Sequence, residues 1–350
     1  MNNSKTNSNT AWHLAGKLLL SGALFIGLTS AGMYTVYTQF ARHSVSFDSR
    51  LLQPSVLIGL GGLLVIYFGA DGLRLYFCIR TMGYRIPFRP MAKLTFLNIF
   101  FSNITPMATG GGFAQIWYLH SHGIPVGIAS AATTMRTVLA MVFIFSLTPI
   151  FVFTLKPLQD IGIIAKTGPA LALLTLGYLL FFALILWRSA WLTAMLSRIF
   201  SIFHRAGIIG QTRHQRWQYK ARREVLRFSH SFSTFFNASP YLILASVFFT
   251  AVFLLSLFSF PALLMHGLGY KINYMLSVGL LVVTTFIMYF SPTPGASGIA
   301  EGVFGTFFRT LLTSNHLLLV ILAWRFVTIY LGMLTGLGIL LIEAIRNPTR

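Results

Sequence analysis

Six long apolar stretches, about 14–40, 54–79, 127–155, 167–187, 238–262 and 316–342, carry almost no Asp, Glu, Lys or Arg. A helix needs roughly 20 predominantly apolar residues to cross a hydrocarbon core about 30 Å thick, so each stretch is long enough to span a membrane. Composition points the same way: 9% of the 350 residues are charged, 55% are hydrophobic and the mean hydropathy is +0.74. A soluble chain carries about 25% charged residues. The 26 Lys and Arg against 6 Asp and Glu give a net charge of +20. Apolar runs separate these basic residues, whereas a nucleic-acid-binding surface would gather them on one face, so nucleic acid is excluded as a partner. The one cysteine, Cys78, excludes an internal disulfide and any CxxC-type metal or redox site. The first stretch begins beside Trp12, His13 and Lys17 and runs past Tyr34 and Tyr37. It is too long for a signal-peptide core and reads as an uncleaved anchor.

Two further apolar stretches, about 92–122 and 272–313, are interrupted near their middles, by Thr105-Pro106-Met107-Ala108-Thr109-Gly110-Gly111-Gly112 and by Pro292-Thr293-Pro294-Gly295-Ala296-Ser297-Gly298. Neither can be one continuous helix. A break at membrane depth is tolerated only where protein or a watery cavity surrounds it, so each stretch is expected to form a re-entrant hairpin. The expected fold class is therefore an all-α polytopic membrane protein with about six spanning helices and two broken-helix hairpins.

Lys and Arg flanking the spans set orientation. With the N-terminus inside, 17 fall on cytoplasmic segments and 6 on outer ones, while Arg74, Arg136 and Arg325 lie within apolar stretches. Both termini and residues 188–237 are thus expected in the cytoplasm, in a multi-pass protein of the cell (inner) membrane. The two breaks align as TPxxxG at an offset of 188 residues, and in this topology they enter from opposite sides. Residues 1–350 then form a single integral membrane domain. Its units 54–155 and 238–342 are related as an inverted repeat, the plan many transporters use around a midplane site.

Between the units, residues 188–237 are basic and aromatic. Trp217, Ala221, Val225, Phe228, Phe232 and Phe235 share one helical face, with Arg213, Arg216, Lys220, Arg222, Arg223 and Arg227 on others. This pattern suits an amphipathic helix on the inner leaflet that gathers anionic lipid. It also suits a plain cytoplasmic linker.

Ionisable groups inside a membrane are expensive, by about 2.5–3.5 kcal/mol on insertion scales, and are functional candidates by default. Asp71 and Arg74, three apart on one span, suit an intrahelical pair of structural or secondary importance. Arg136 follows Pro106 by 30 residues and Arg325 follows Pro294 by 31, so the two arginines occupy near-equivalent places in the two units. Glu301 stands at the expected start of a returning half-helix, where the helix dipole favours a carboxylate, and could pair with Arg325 or Arg136. Gly110, Gly111 and Gly112 offer backbone N–H groups at the other half-helix start, a place where anions bind. They would equally permit close packing. Gln115, Thr105, Pro106, Pro294, Gly295 and Gly298 complete the candidate transport site. GxxxxGK[ST], HExxH and GxSxG motifs are absent. His120-Ser121-His122 reads as a helix-end loop in preference to a metal site. No catalytic residue, cofactor or metal is expected.

With these motifs placed, the sequence resembles the lysylphosphatidylglycerol synthase transmembrane family, the flippase-like domain of UPF0104-type membrane proteins. The resemblance is carried by Thr105-Pro106 to Gln115 with Tyr118-Leu119 and Gly123-Ile124, by Arg136, by Pro292 to Gly302 and by Arg325. It implies movement of a lipid, such as an aminoacylated phosphatidylglycerol, between leaflets. Bifunctional members carry a soluble aminoacyltransferase domain after the membrane part, and these 350 residues contain no counterpart, so the expectation is a non-enzyme. The expected function is a lipid flippase whose partner is membrane lipid, in particular anionic phospholipid. Arg136 and Arg325 would bind the headgroup and Glu301 would balance charge or bind an amino group. The rival readings are a scaffold or partner of a lipid-modifying enzyme and a secondary transporter of a small anion.

Overall fold

The computed structural model describes residues 47–159 and 233–346, together with scattered helical residues at 23, 26, 27, 30, 34, 37, 38, 173, 175–178, 180, 223 and 230. The expected spans at 14–40 and 167–187 and most of the basic segment 188–237 lie outside the described residues. Within them the chain is all helix, with four helices long and apolar enough to cross a membrane. It is an all-α membrane protein.

The first unit contains α1 (Pro54–Thr81), α2 (Phe88–Ile104), α3 (Thr109–Ser121) and α4 (Val126–Thr154). The second contains α5 (Pro240–Gly267), α6 (Tyr274–Tyr289), α7 (Ile299–Phe308), α8 (Ser314–Arg325) and α9 (Leu331–Arg346). Phe326–Tyr330 is a π-helical turn that joins α8 and α9 into a single long helix. Prolines stand at the first position of α1 and α5, where the missing N–H is not needed. The spans are studded with threonines whose hydroxyls donate to the carbonyl four residues back, among them Thr133 to Ala129, Thr148 to Ile144, Thr250 to Ser246, Thr284 to Leu280 and Thr328 to Trp324. Each hydroxyl is satisfied within its own helix, as a medium without water requires. Large apolar side chains such as Ile58, Val65, Leu244 and Phe248 point outward, which a lipid surround accommodates.

The broken stretches are broken where Pro and Gly stand. A 3-10 turn at Pro106–Ala108 separates α2 from α3, and another at Pro294–Ala296 separates α6 from α7. The two turns repeat in detail at the offset of 188. Met107 and Ala108 have φ of 53° each, and Gly295 and Ala296 have φ of 57° and 54°. Ala108 N donates to Thr105 O as Ala296 N does to Thr293 O.

The units pack by reciprocal pairing. α1 lies along α5 and the two broken turns touch each other, while α2 packs on α9 and its counterpart α6 packs on α4. One apolar core joins α1, α4, α5, α6, α7 and α8, and a second joins α1 to α2, α3 and α4.

Candidate functional site

Among the described residues, five carboxylate and guanidinium side chains are buried among the spans, and they form two clusters. In the first, α1 carries Asp71 and Arg74 one helical turn apart, and α4 brings in Arg136. Asp71 Oδ1 accepts from Arg74 Nε at 2.9 Å, from Arg74 Nη2 at 2.6 Å and from Arg136 Nη2 at 2.6 Å. The Arg74 guanidinium also lies 3.8 Å from the centre of the Phe253 ring on α5, a desolvated cation–π contact between the leading helices of the two units. Arg74 Nη1 and Arg136 Nε are buried without a partner. The expected intrahelical pair is therefore one part of a three-membered cluster. A separation of 65 residues hides the Arg136 contact from any sequence spacing.

The second cluster is a pair. Glu301, on the first turn of α7, accepts from Arg325 Nε at 2.6 Å through Oε1 and from Gly298 N at 2.7 Å through Oε2. Of the two arginines that could pair with Glu301, Arg325 does. Arg325 Nη1 donates to Gly295 O in the broken turn at 3.0 Å, and Nη2 is buried without a partner. Glu301 and Arg325 are 0% and 1% exposed, so this charge pair is removed from solvent. Gly298 has φ of 84°, a left-handed conformation that glycine adopts without penalty, and it is this bend that aims its N–H at the carboxylate.

The expectation for the first glycine run changes. Gly110 N is already taken, donating to Thr105 Oγ1 at 2.8 Å, while Thr105 Oγ1 itself donates to Phe101 O at 2.7 Å. A Cβ on Gly111 would collide with Ser102 Oγ and Asn98 Oδ1 of α2. Gly110 and Gly111 thus let α3 fold back tightly on α2 and leave no amide cradle for an anion at Gly110. Thr105 and Pro106 belong to the turn in the same structural sense. Thr293, the counterpart of Thr105, closes the second turn by donating to Ser297 O at 2.9 Å, with Pro294 starting the 3-10 turn. Gln115 is 1% exposed and its Oε1 has no partner.

An open cleft of about 320 Å³ lies between α3 and α4, lined by Thr109, Gly112, Phe113, Ile116, Thr133 and Thr137 among others. The Thr133 and Thr137 hydroxyls bond back into α4, and the lining is predominantly apolar. His120 and His122 close the end of α3 on the carbonyls of Ile124 and Tyr118. No group of three or more His, Cys, Asp and Glu suited to a metal occurs among the described residues.

Near one end of α1, His316 Nε2 on the first turn of α8 stands 3.1 Å from Asp48 Oδ2, and His316 Nδ1 stands 2.8 Å from the Tyr270 hydroxyl. Arg50 donates to both carboxylate oxygens of Asp48 and holds that carboxyl well below the usual carboxylate range. This partly buried cluster ties the lead-in of α1 to the α5–α6 connection and to the start of α8.

A membrane-embedded bundle with broken helices around buried arginine–carboxylate clusters defines a class of polytopic membrane protein built around an internal polar site. Residues 14–336 match the lysylphosphatidylglycerol synthase TM region, and the chain belongs to that family. It is also similar to a UPF0104 membrane protein of Archaeoglobus fulgidus, with 23% identity over 265 residues that cover 75% of this chain and 79% of that protein.

Proposed function

We propose that this chain is a lipid transporter of the flippase type, moving an anionic phospholipid between the leaflets of the cell (inner) membrane. The observation that carries the reading is the Asp71–Arg74–Arg136 cluster: two guanidinium groups share one carboxylate, and each has a buried N–H without an acceptor. An uncompensated cation in a low-dielectric interior is expensive. A phosphodiester headgroup would supply both the missing charge and the missing acceptors, and the planar fork of Arg matches two phosphate oxygens at once. The apolar cleft beside α4 favours a lipid over a small anion, since it offers room for an acyl chain on the helix that carries Arg136.

In this reading units 54–155 and 238–342 form an inverted repeat with both termini cytoplasmic. Movement of the two touching turns changes which leaflet reaches the cluster. Support comes from the repeated left-handed backbone at 107–108 and 295–296 and from the reciprocal helix pairing. Reconstitution in liposomes with fluorescent phosphatidylglycerol, followed by quenching of the outer leaflet, tests the reading. Wild-type protein is expected to expose inner-leaflet label, and Arg136→Lys, which keeps the charge but loses the fork, to slow this at least tenfold. A wild-type rate in a folded Arg136→Lys variant rejects the site. A silent wild-type protein rejects lipid movement and leaves the scaffold reading.

A further inference from the structure

The Glu301–Arg325 pair bears on what drives such movement. An arginine carries a fixed positive charge, so Glu301 is the member of this pair that could exchange a proton. Glu301 joins three parts through two contacts: the start of α7 through Gly298 N, and α8 through Arg325 Nε, whose guanidinium in turn holds Gly295 O of the broken turn. With Glu301 protonated, the Arg325 charge would lose its counter-ion, while its Nη2 already lacks a partner. The turn it holds touches the first broken turn and packs on α2. The π turn that begins at Phe326, directly after Arg325, is an irregularity frequent at functional sites, where one residue of register is loosely held.

We infer that Glu301 is a proton carrier and that the anionic headgroup moves together with one proton. This rests on the anion-transport reading above. The headgroup and the Glu301 carboxylate are both negative and share a low-dielectric interior, so each disfavours the other. They also compete for the same guanidinium once the headgroup leaves the first cluster. Binding the anion therefore favours proton uptake by Glu301, and by linkage protonation favours the anion. The proton comes from water on the side where the lipid loads and returns to water on the side where it leaves, with no other bond made or broken. Buried carboxylates act as proton relays in many pumps and transporters.

The helices packed against α7 supply few competitors for this role. α6 carries only Tyr274 and Tyr289 as titratable groups, and α8 carries Arg325 and His316. His316 is nine residues from Arg325, about 13 Å along the helix, and is engaged with Asp48 and Tyr270. Asp71 remains the other buried carboxylate among the described residues and is held by two arginines.

The test is a steady-state distribution. Full-length protein is placed in liposomes with fluorescent phosphatidylglycerol, which stays singly charged, and a gradient of one pH unit is imposed across the membrane. One proton per lipid predicts a tenfold enrichment of label in the leaflet facing the higher pH, because protons running down their gradient drag the lipid with them. In Glu301→Gln the gradient-driven enrichment should be lost. An even distribution in wild type overturns the inference while leaving lipid transport standing. A gradient-driven enrichment that persists in Glu301→Gln moves the proton to another group and overturns the assignment. If wild-type protein moves no lipid, the transport reading falls and the inference falls with it. The wild-type distribution decides even where the variant does not fold.

Discussion

The two units place an arginine at nearly the same point, Arg136 and Arg325, yet neutralise it differently. In the second unit the carboxylate comes from the returning half-helix, at Glu301, and the result is a neutral pair. In the first unit the position 188 residues earlier is Phe113, which is 75% exposed, and the carboxylate comes instead from Asp71 on the leading span. Asp71 already serves Arg74, so the first cluster is left one positive charge in excess. The difference teaches that one backbone plan can hold one arginine in a neutral pair and another in a cluster with a positive charge in excess. What separates them is which helix supplies the acid.

The largest expected effect breaks or upholds that contrast directly. Arg325→Met strands the Glu301 charge in an interior site, and breaking a buried pair from one side costs about 3–5 kcal/mol. Arg136→Met leaves Asp71 paired with Arg74, so it should unfold at a higher temperature than Arg325→Met in the same detergent. Equal losses would show that the two clusters are electrostatically alike.

A second comparison concerns the tight return of α3 on α2. Gly111→Ala should destabilise by about 1–3 kcal/mol, the usual range for overpacking, because Asn98 and Ser102 occupy the space a methyl needs. Gly112→Ala, one residue on and with nothing within 4 Å, should instead stabilise by about 0.4–1 kcal/mol, because alanine has the stiffer unfolded chain. If Gly111→Ala behaves like Gly112→Ala, the run is not a packing device.

The smallest effect lies in the turns. Met107 holds the left-handed conformation that Gly295 holds in the second unit. Met107→Gly should therefore stabilise by about 1 kcal/mol, since a left-handed penalty of roughly 1–2 kcal/mol is relieved and roughly 0.4–1 kcal/mol is returned through a freer unfolded chain. A denaturant titration that shows a loss would mean the methionine side chain contributes more than its backbone costs.

Much of this was legible beforehand, for reasons particular residues make plain. Pro106 and Pro294 cannot sit inside a helix without losing a backbone bond, and their Gly-rich neighbours permit the turn, so the two interruptions were readable from residue type. Arg136, Arg325 and Glu301 stood out because charge is rare in apolar runs. The pairing of Glu301 was readable only as a choice between two arginines. The role of Gly110 and Gly111 was not readable, because three glycines look the same whether they expose amides to a ligand or admit a neighbouring helix. The choice depended on Thr105, Asn98 and Ser102 across the hairpin.

Sequence alone determined that the chain lives in a membrane, that two of its apolar stretches are interrupted, and that a few charges are buried there at a price. These follow from local chemistry: hydropathy, backbone restriction and the cost of desolvating an ion act residue by residue. Only the tertiary structure decided that Asp71 joins Arg136 across 65 positions, that Arg325 takes Glu301 and reaches Gly295, and that the two broken turns meet. Those contacts depend on how helices distant in the chain pack against one another, and no spacing along a single helix encodes which neighbour will face it.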